Sequence, residues 1–192
     1  FLETSTLQAG QVAFISQSGA LGGSILNRAA DNRIGFSHFV STGNEAVLEA
    51  SDFIGYFVDQ AHVKVIICLL EGVRNADKFL HAAQRAHLEG KPLLVMKIGR
   101  TAAGAKAASS HTGSMAGSDA VFEAIFKQTG IIRIEEIDDL YQIGGAMAKS
   151  RPVRGSGIGV ITSTGGGGII LSDKLVANGL CLPELSAKAA RQ

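Results

Sequence analysis

The sequence is short of nearly everything that marks a secreted, membrane-spanning or nucleic-acid-binding protein. Its two cysteines, Cys68 and Cys181, are too few for a disulfide framework and lack the spacing of a metal site. The longest aliphatic stretch, Val65-Ile66-Ile67-Cys68-Leu69-Leu70, falls far short of the ~20 apolar residues that a bilayer-spanning helix needs. No basic segment precedes an apolar run near Phe1, so no signal peptide is visible and the cytoplasm is the expected compartment. Lysine and arginine total 18 against 17 acids, a net charge of +1, which leaves no electrostatic footprint for nucleic acid or an anionic membrane. The chain opens on Phe1 and not on Met, as a piece of a longer polypeptide would. With 46% hydrophobic and 18% charged residues, it can build a packed core.

Glycine is what the sequence has in excess: 24 in 192 residues, against an average near ~7%. The glycines follow no period, which excludes a collagen-like chain. They gather where apolar runs end, at Gly19, Gly22-Gly23, Gly99, Gly113, Gly117 and Gly165 to Gly168. Glycine just after a strand lets backbone N–H groups approach an anion closely.

Apolar runs alternate with amphipathic stretches. Strands are expected at Gln11–Ser16, Phe36–Val40, Val63–Leu70, Pro92–Lys97 and Ile131–Ile134. Helices are expected at Ala20–Asn32, with Leu21, Ser24, Ile25 and Arg28 at helical spacing, and at Glu45–Val58, with Val47, Phe53, Ile54 and Phe57 inward. Three more run from a cap at Asn75 to Leu88, from Ser118 or Asp119 toward Thr129, and from Ile137 to Ala148. This alternation predicts an α/β fold, a doubly wound parallel sheet of flavodoxin-like size. Residues 1–150 form that domain, 151–157 read as a linker, and 158–192 as the start of a second, incomplete domain of the same kind. Its expected parts are a strand Ile158–Thr162, a helix Gly167–Asn178, a strand from Leu180 and a helix opening at Ser186.

The two parts share an echo. Phe14-Ile15-Ser16-Gln17-Ser18-Gly19 and Val160-Ile161-Thr162-Ser163-Thr164-Gly165 both run from an apolar strand through hydroxyl–x–hydroxyl–Gly into a helix. Both ends offer unpaired N–H groups and about half a positive charge to an anion, although serine and threonine also serve as plain helix caps. Neither turn has the Gly-x-Gly-x-x-Gly spacing of a dinucleotide site, and no Gly-x-x-x-x-Gly-Lys-Ser/Thr loop occurs. Residues 98–117, mostly Ala, Gly, Ser and Thr, are expected to form a long functional loop. His111 stands in it among small residues, either as a nucleophile or proton carrier or as a solvated loop histidine. His38, His62, His81 and His87 are read as ordinary, and no metal site is expected. Glu71 ends the most apolar strand, where α/β sheets bind ligands, and can orient an imidazole or serve the next helix dipole. Gly43 and Asn44 follow the second strand on the same edge. Lys97, Arg100 and Lys106 could touch phosphates, with solvation as the plainer expectation.

Ser16-Gln17-Ser18-Gly19-Ala20-Leu21, Ser41-Thr42-Gly43-Asn44-Glu45, Leu70-Glu71-Gly72 and Ser110-His111-Thr112-Gly113-Ser114-Met115-Ala116-Gly117 together resemble the NDP-forming acyl-CoA synthetases, the superfamily of succinyl-CoA ligase and ADP-forming acetyl-CoA synthetase. The likeness spans Gly10 to Ala148 and continues from Gly157 as the start of a second such domain. It implies an acid–thiol ligase in which His111 is transiently phosphorylated between an acyl phosphate and a nucleoside diphosphate, with Glu71 steadying it. It further implies that Ser18, Gly19, Thr164, Gly165 and Gly166 bind the phosphate at two helix starts, and that Gly43 and Asn44 lie near substrate. Coenzyme A and ATP or ADP with magnesium would be substrates of the whole enzyme, and no tightly bound cofactor is expected. CoA-binding and ATP-grasp domains would be partners outside this chain, with a small carboxylic acid as substrate and a homo-oligomer as an option. A CoA-sensing regulatory segment of a protein lysine acetyltransferase uses the same scaffold and is the alternative, which an intact His111 disfavours. An FMN-binding flavodoxin is a third reading, and the scarcity of aromatics weighs against it.

Overall fold

The computed structural model describes residues 7–106, 118–151, 155–184 and 186. By its internal contacts the chain divides into two compact units, Phe1–Ser150 and Arg151–Gln192.

In the first unit five strands alternate with helices: β1 (Ala9–Ser16), α1 (Gly19–Asp31), β2 (Phe36–Ser41), α2 (Ala50–Val58), β3 (Val65–Leu70), α3 (Ala76–Leu88), β4 (Leu93–Lys97), α4 (Asp119–Thr129), β5 (Ile132–Ile134) and α5 (Ile137–Lys149). Residues 102–106 are also helical. All pairings are parallel, in the order β2-β1-β3-β4-β5. This is the flavodoxin-like order, and its switch point lies between β1 and β3, where Ser16 sits opposite Leu69.

Alternation of side chains divides the core into two layers. Ala13, Ile15, Ile66, Cys68, Leu70 and Val95 pack with residues of α2, α3 and α4. Val12, Phe14, Val65, Ile67, Leu69 and Leu94 pack with α1 and α5. All six residues of β3 are buried, as a strand covered on both faces requires. Each fully buried aliphatic side chain contributes ~1.5–3 kcal/mol, against the chain entropy lost on ordering. The second layer is tight because α5 lies directly on the sheet: a Cβ on Gly144 would stand 2.9 Å from Ile67 Cγ2.

One expectation for the first unit needs correction. The second helix starts at Ala50, not Glu45, and Val47 is 90% exposed. Glu45 adopts φ 52° and uses its carboxylate to accept from Ala50 N–H, while Asp52 accepts from Glu49 N–H, so the helix is capped from within the segment expected to be helical. In α1 the buried face is Gly22, Ile25, Leu26 and Ala29. Arg28 lies outside it and pairs with Asp138 at 3.2 Å.

The second unit holds α6 (Gly165–Ala177), which begins two residues earlier than expected and buries no residue. The expected strand Ile158–Thr162 is reduced to one parallel bridge, Gly157 with Cys181, and the strand expected from Leu180 to Cys181's part in that bridge. Ile158 N–H donates to Cys181 O at 2.8 Å and Cys181 N–H to Ser156 O at 2.9 Å. Ile161 is fully exposed. A strand needs neighbours on its edges, and the described residues of this unit supply one bridge. Ser186 has no regular structure, and the helix expected to open there falls on 187–192, outside the described residues.

Candidate functional site

The carboxyl ends of β1, β2 and β3 bring most of the expected site residues to one edge of the first unit. β1 ends at Ser16, and Ser18 caps α1 with extended backbone geometry, its Oγ accepting from Leu21 N–H at 3.3 Å. Ser16 Oγ donates to Ser18 O at 2.7 Å and accepts from Ser18 N–H at 3.2 Å, which fixes the turn. Between these serines, Gln17 reaches across the switch point. Its Oε1 accepts from the N–H groups of Glu71 and Gly72, and its Nε2 donates to Gly72 O at 2.9 Å. One side-chain amide thus ties the start of α1 to the Glu71 turn. Gln17 was inside the expected motif but was not singled out, because its role exists only once β1 and β3 are adjacent. Glu71 is 5% exposed.

The Gly43–Asn44 turn is held to the same edge. Thr42 N–H donates to Ser16 O at 2.9 Å, extending the β1–β2 ladder. Glu45 Oε1 accepts from Thr42 Oγ1 at 3.0 Å and from Ala50 N–H at 2.9 Å. Asn44 O accepts from Arg74 at 2.7 Å. Gly43 adopts φ 56° with open space where a Cβ would be, and Asn44 is exposed.

In the second unit, Thr164 stands at the N-cap of α6 without the side-chain capping bond that Ser18 makes, and the rest of its turn repeats the first. Thr162 Oγ1 donates to Thr164 O at 3.1 Å and accepts from Thr164 N–H at 3.1 Å, as Ser16 does to Ser18. Gly168 N–H then donates to Thr164 O at 3.2 Å, as Gly22 N–H does to Ser18 O at 2.9 Å. The sequence echo is therefore a structural one. The two helices share one more property. Helices α2, α3, α4 and α5 each carry aspartate in the first turn, Asp52, Asp77, Asp119 and Asp138. The first turns of α1 and α6 carry no acid, so their positive ends are uncompensated and open to an external anion.

His111 lies outside the described residues, which resume at Ser118. Of the basic residues near it in sequence, Lys97 departs from the expectation of a solvated loop cation. It is 3% exposed, its Nζ donates to Ile98 O and lies 5.1 Å from the centre of the Phe122 ring, and burial lowers its pKa. That burial depends on Phe122 arriving from α4, which no local pattern announces. Arg100 is taken up by ion pairs with Asp119 and Glu135. Cys68 is buried, which pushes its thiol pKa up and leaves it inert, and both cysteines are free. Among the described residues no group of three or more His, Cys, Asp or Glu could hold a metal, and no helix is long and apolar enough to cross a membrane.

Residues 9–147 match the family model of the succinyl-CoA ligase like flavodoxin domain. The chain is 37% identical over 183 residues to the alpha subunit of ADP-forming acetate–CoA ligase II of Pyrococcus furiosus, covering 95% of this chain and 40% of that protein. It is 38% identical over 168 residues to an ADP-forming 4-hydroxybutyrate–CoA ligase of Nitrosopumilus maritimus, of which it covers 24%. Among solved structures it resembles the dinucleotide forming acetyl-coenzyme A synthetase 1 of Ca. Korarchaeum cryptofilum in complex with phosphate and ADP. There the TM-score is 0.86 at 38% identity, over 94% of this chain and 39% of that one. The chain thus spans well under half the length of these relatives.

Proposed function

The chain belongs to the succinyl-CoA ligase like flavodoxin domain family, and we propose that it is the phosphoryl-relay part of an NDP-forming acid–thiol ligase. The observation that carries this is the pair of matching helix starts, α1 and α6, each free of first-turn acid and each built on the same hydroxyl-locked turn. A transferable phosphoryl group needs a helix start of this kind. Each helix end contributes ~0.3–2 kcal/mol to an anion, enough to hold a phosphate and not enough to trap it.

In this proposal His111 is the carrier. In the direction of thioester synthesis, an imidazole nitrogen attacks the γ-phosphorus of a nucleoside triphosphate. The P–N bond forms as the P–O bond to the diphosphate breaks. A carboxylate oxygen of a small acid then takes the phosphoryl group from His111, giving an acyl phosphate, and the thiolate of coenzyme A displaces phosphate from it. Glu71, buried beside the α1 start, orients the imidazole and favours its cationic form. The start of α1 (Ser18, Gly19) and the start of α6 (Thr164, Gly165, Gly166) are each fit to bind a phosphate through backbone N–H groups, and Gly43 and Asn44 face substrate. Magnesium arrives with the nucleotide and is held by that complex. Residues 158–192 open a second flavodoxin-like domain, and the CoA-binding and ATP-grasp domains are supplied by the rest of the enzyme, which works in the cytoplasm. The names of the relatives, ADP-forming CoA ligases for acetate and 4-hydroxybutyrate, support this assignment.

The test is to incubate the full-length protein with γ-labelled ATP and magnesium. The label should be acid-labile, base-stable and returned to ADP, absent from His111→Ala and reduced in Glu71→Ala. Stable labelling of His111→Ala at another residue would refute the carrier. A folded wild type that takes no label would favour a CoA-sensing role.

A further inference from the structure

We propose that a closed ring of four charged side chains, Arg100, Asp119, Arg133 and Glu135, is a positioning device for phosphoryl transfer. It fixes the place where the polypeptide bearing His111 leaves the sheet and the place where it returns. This rests on the relay function assigned above.

The ring joins residues that the sequence keeps apart. Arg100 stands three residues beyond β4, Asp119 opens α4, Arg133 lies within β5 and Glu135 follows it. Arg100 Nε is 3.5 Å from Asp119 Oδ2, and Arg133 NH2 is 2.5 Å from Asp119 Oδ1. Arg133 Nε is 3.8 Å from Glu135 Oε1, and Arg100 NH1 is 2.8 Å from the same oxygen. Each acid is shared by both arginines, so the circuit closes. Arg133 is its fixed corner: its side chain is 13% exposed, lies 5.8 Å from the centre of the Phe126 ring and also pairs with Glu123 at 2.9 Å.

Two features separate this ring from ordinary surface pairing, which contributes little. The ring carries two cations and two anions, so it is neutral and offers a phosphate nothing; what it supplies is geometry. Its members also divide by purpose. Arg133 ties β5 to α4 through both Asp119 and Glu123. Arg100, 40% exposed and outside any strand, adds little to the fold, yet it is the link between the departing chain and the returning one. Lys97, at the end of β4, also reaches α4, its Nζ 5.1 Å from the centre of the Phe122 ring. A misplacement of about 1 Å at a reacting group costs on the order of a hundredfold in rate, so two fixed stems bear directly on transfer.

The experiment uses the full-length enzyme and compares wild type with Arg100→Gln, Arg100→Lys and Asp119→Asn. Labelling by γ-labelled ATP is followed in time, together with turnover at saturating substrates, from 0.05 to 1 M salt. Across that range the screening length falls from over 10 Å to about 3 Å. Arg100→Gln should reach the wild-type extent of labelling with kcat lowered roughly tenfold and KM for each substrate unchanged. Arg100→Lys should recover part of the loss. Wild-type turnover should fall with salt toward the Arg100→Gln value, while Arg100→Gln stays flat. Thermal unfolding should separate Arg100→Gln, close to wild type, from Asp119→Asn, which also loosens α4. Wild-type kcat and salt dependence in Arg100→Gln would overturn the ring and leave the relay standing. No label on a folded wild type would overturn the relay, and the ring's role with it.

Discussion

Glu45 turns inward at a left-handed backbone position, φ 52°, and is 7% exposed. Among the described residues its carboxylate makes no ion pair; it accepts from a hydroxyl and from the first N–H of α2, where the helix dipole favours it. Glu45→Gln keeps an acceptor oxygen, whereas Glu45→Ala leaves both donors short. We expect Glu45→Ala to lose ~1–3 kcal/mol and Glu45→Gln less than half of that, read from urea midpoints at constant slope. Equal losses would assign the effect to charge alone. Asp119 gives a pH signature. The hydrogen bond from Arg133, reinforced by the charges of Arg133 and Arg100, holds its pKa below the ordinary 3.8. A depressed folded pKa contributes stability that is present above the unfolded value and is lost as pH falls through the folded one. Urea midpoints taken from pH 6 down to pH 2.5 should therefore fall below about pH 4, less steeply in Asp119→Asn than in wild type. Parallel curves would count against the ion pair. Neither role was legible in the sequence. Glu45 reads as the first residue of a helix because it follows a turn and precedes apolar residues. Its inward carboxylate is visible only beside Thr42 and Ala50.

At the scale of elements, the strands were legible because each is an apolar run bounded by polar or glycine turns. Val65–Leu70 is buried throughout, and Asn75 and Ser18 cap the helices that their type and place announce. The start of α2, misplaced by five residues, has a local cause. Local spacing tells that a helix forms, while caps and the sheet beneath decide where it begins and which side turns in. The strand expected at 158–162 departs differently, since its apolar residues are present and the described residues of the unit form one bridge, Gly157 with Cys181. The β1–β2 junction supplies a test of packing. A Cβ on Gly10 would stand 2.1 Å from Gly35 O, a backbone atom that cannot swing aside. Gly10→Ala should cost on the order of 1–3 kcal/mol and lower the melting temperature by several degrees, at ~2–4 °C per kcal/mol for a unit of this size. An unchanged melting temperature would show that this edge of the sheet adapts freely.

For the whole molecule, the candidate site was legible where it was local and hidden where it was tertiary. Ser18, Glu71, Gly43 and Asn44 stand on one edge of the first unit because all follow the carboxyl ends of parallel strands, which the alternation of elements already implied. Gln17's bridge, the burial of Lys97 and the four-membered ring were not, because each joins residues distant in the chain. In the proposed relay, the start of α1 receives a phosphate. Its most direct test separates stability from function. Ala20, exposed in the first turn of α1, is the place for an acid where this helix has none. An acid there interacts favourably with the helix dipole by ~0.3–1 kcal/mol. It repels a phosphate strongly, since unit like charges 4 Å apart cost about 4 kcal/mol at an effective dielectric near 20. The measurement is the extent and rate of phosphoryl labelling of full-length Ala20→Glu by γ-labelled ATP, beside its melting temperature and with Ala20→Gln as the neutral control. The melting temperature should equal or exceed that of wild type, with labelling reduced at least tenfold in Ala20→Glu and near wild type in Ala20→Gln. Full labelling of Ala20→Glu at the wild-type rate would contradict a phosphate at the start of α1.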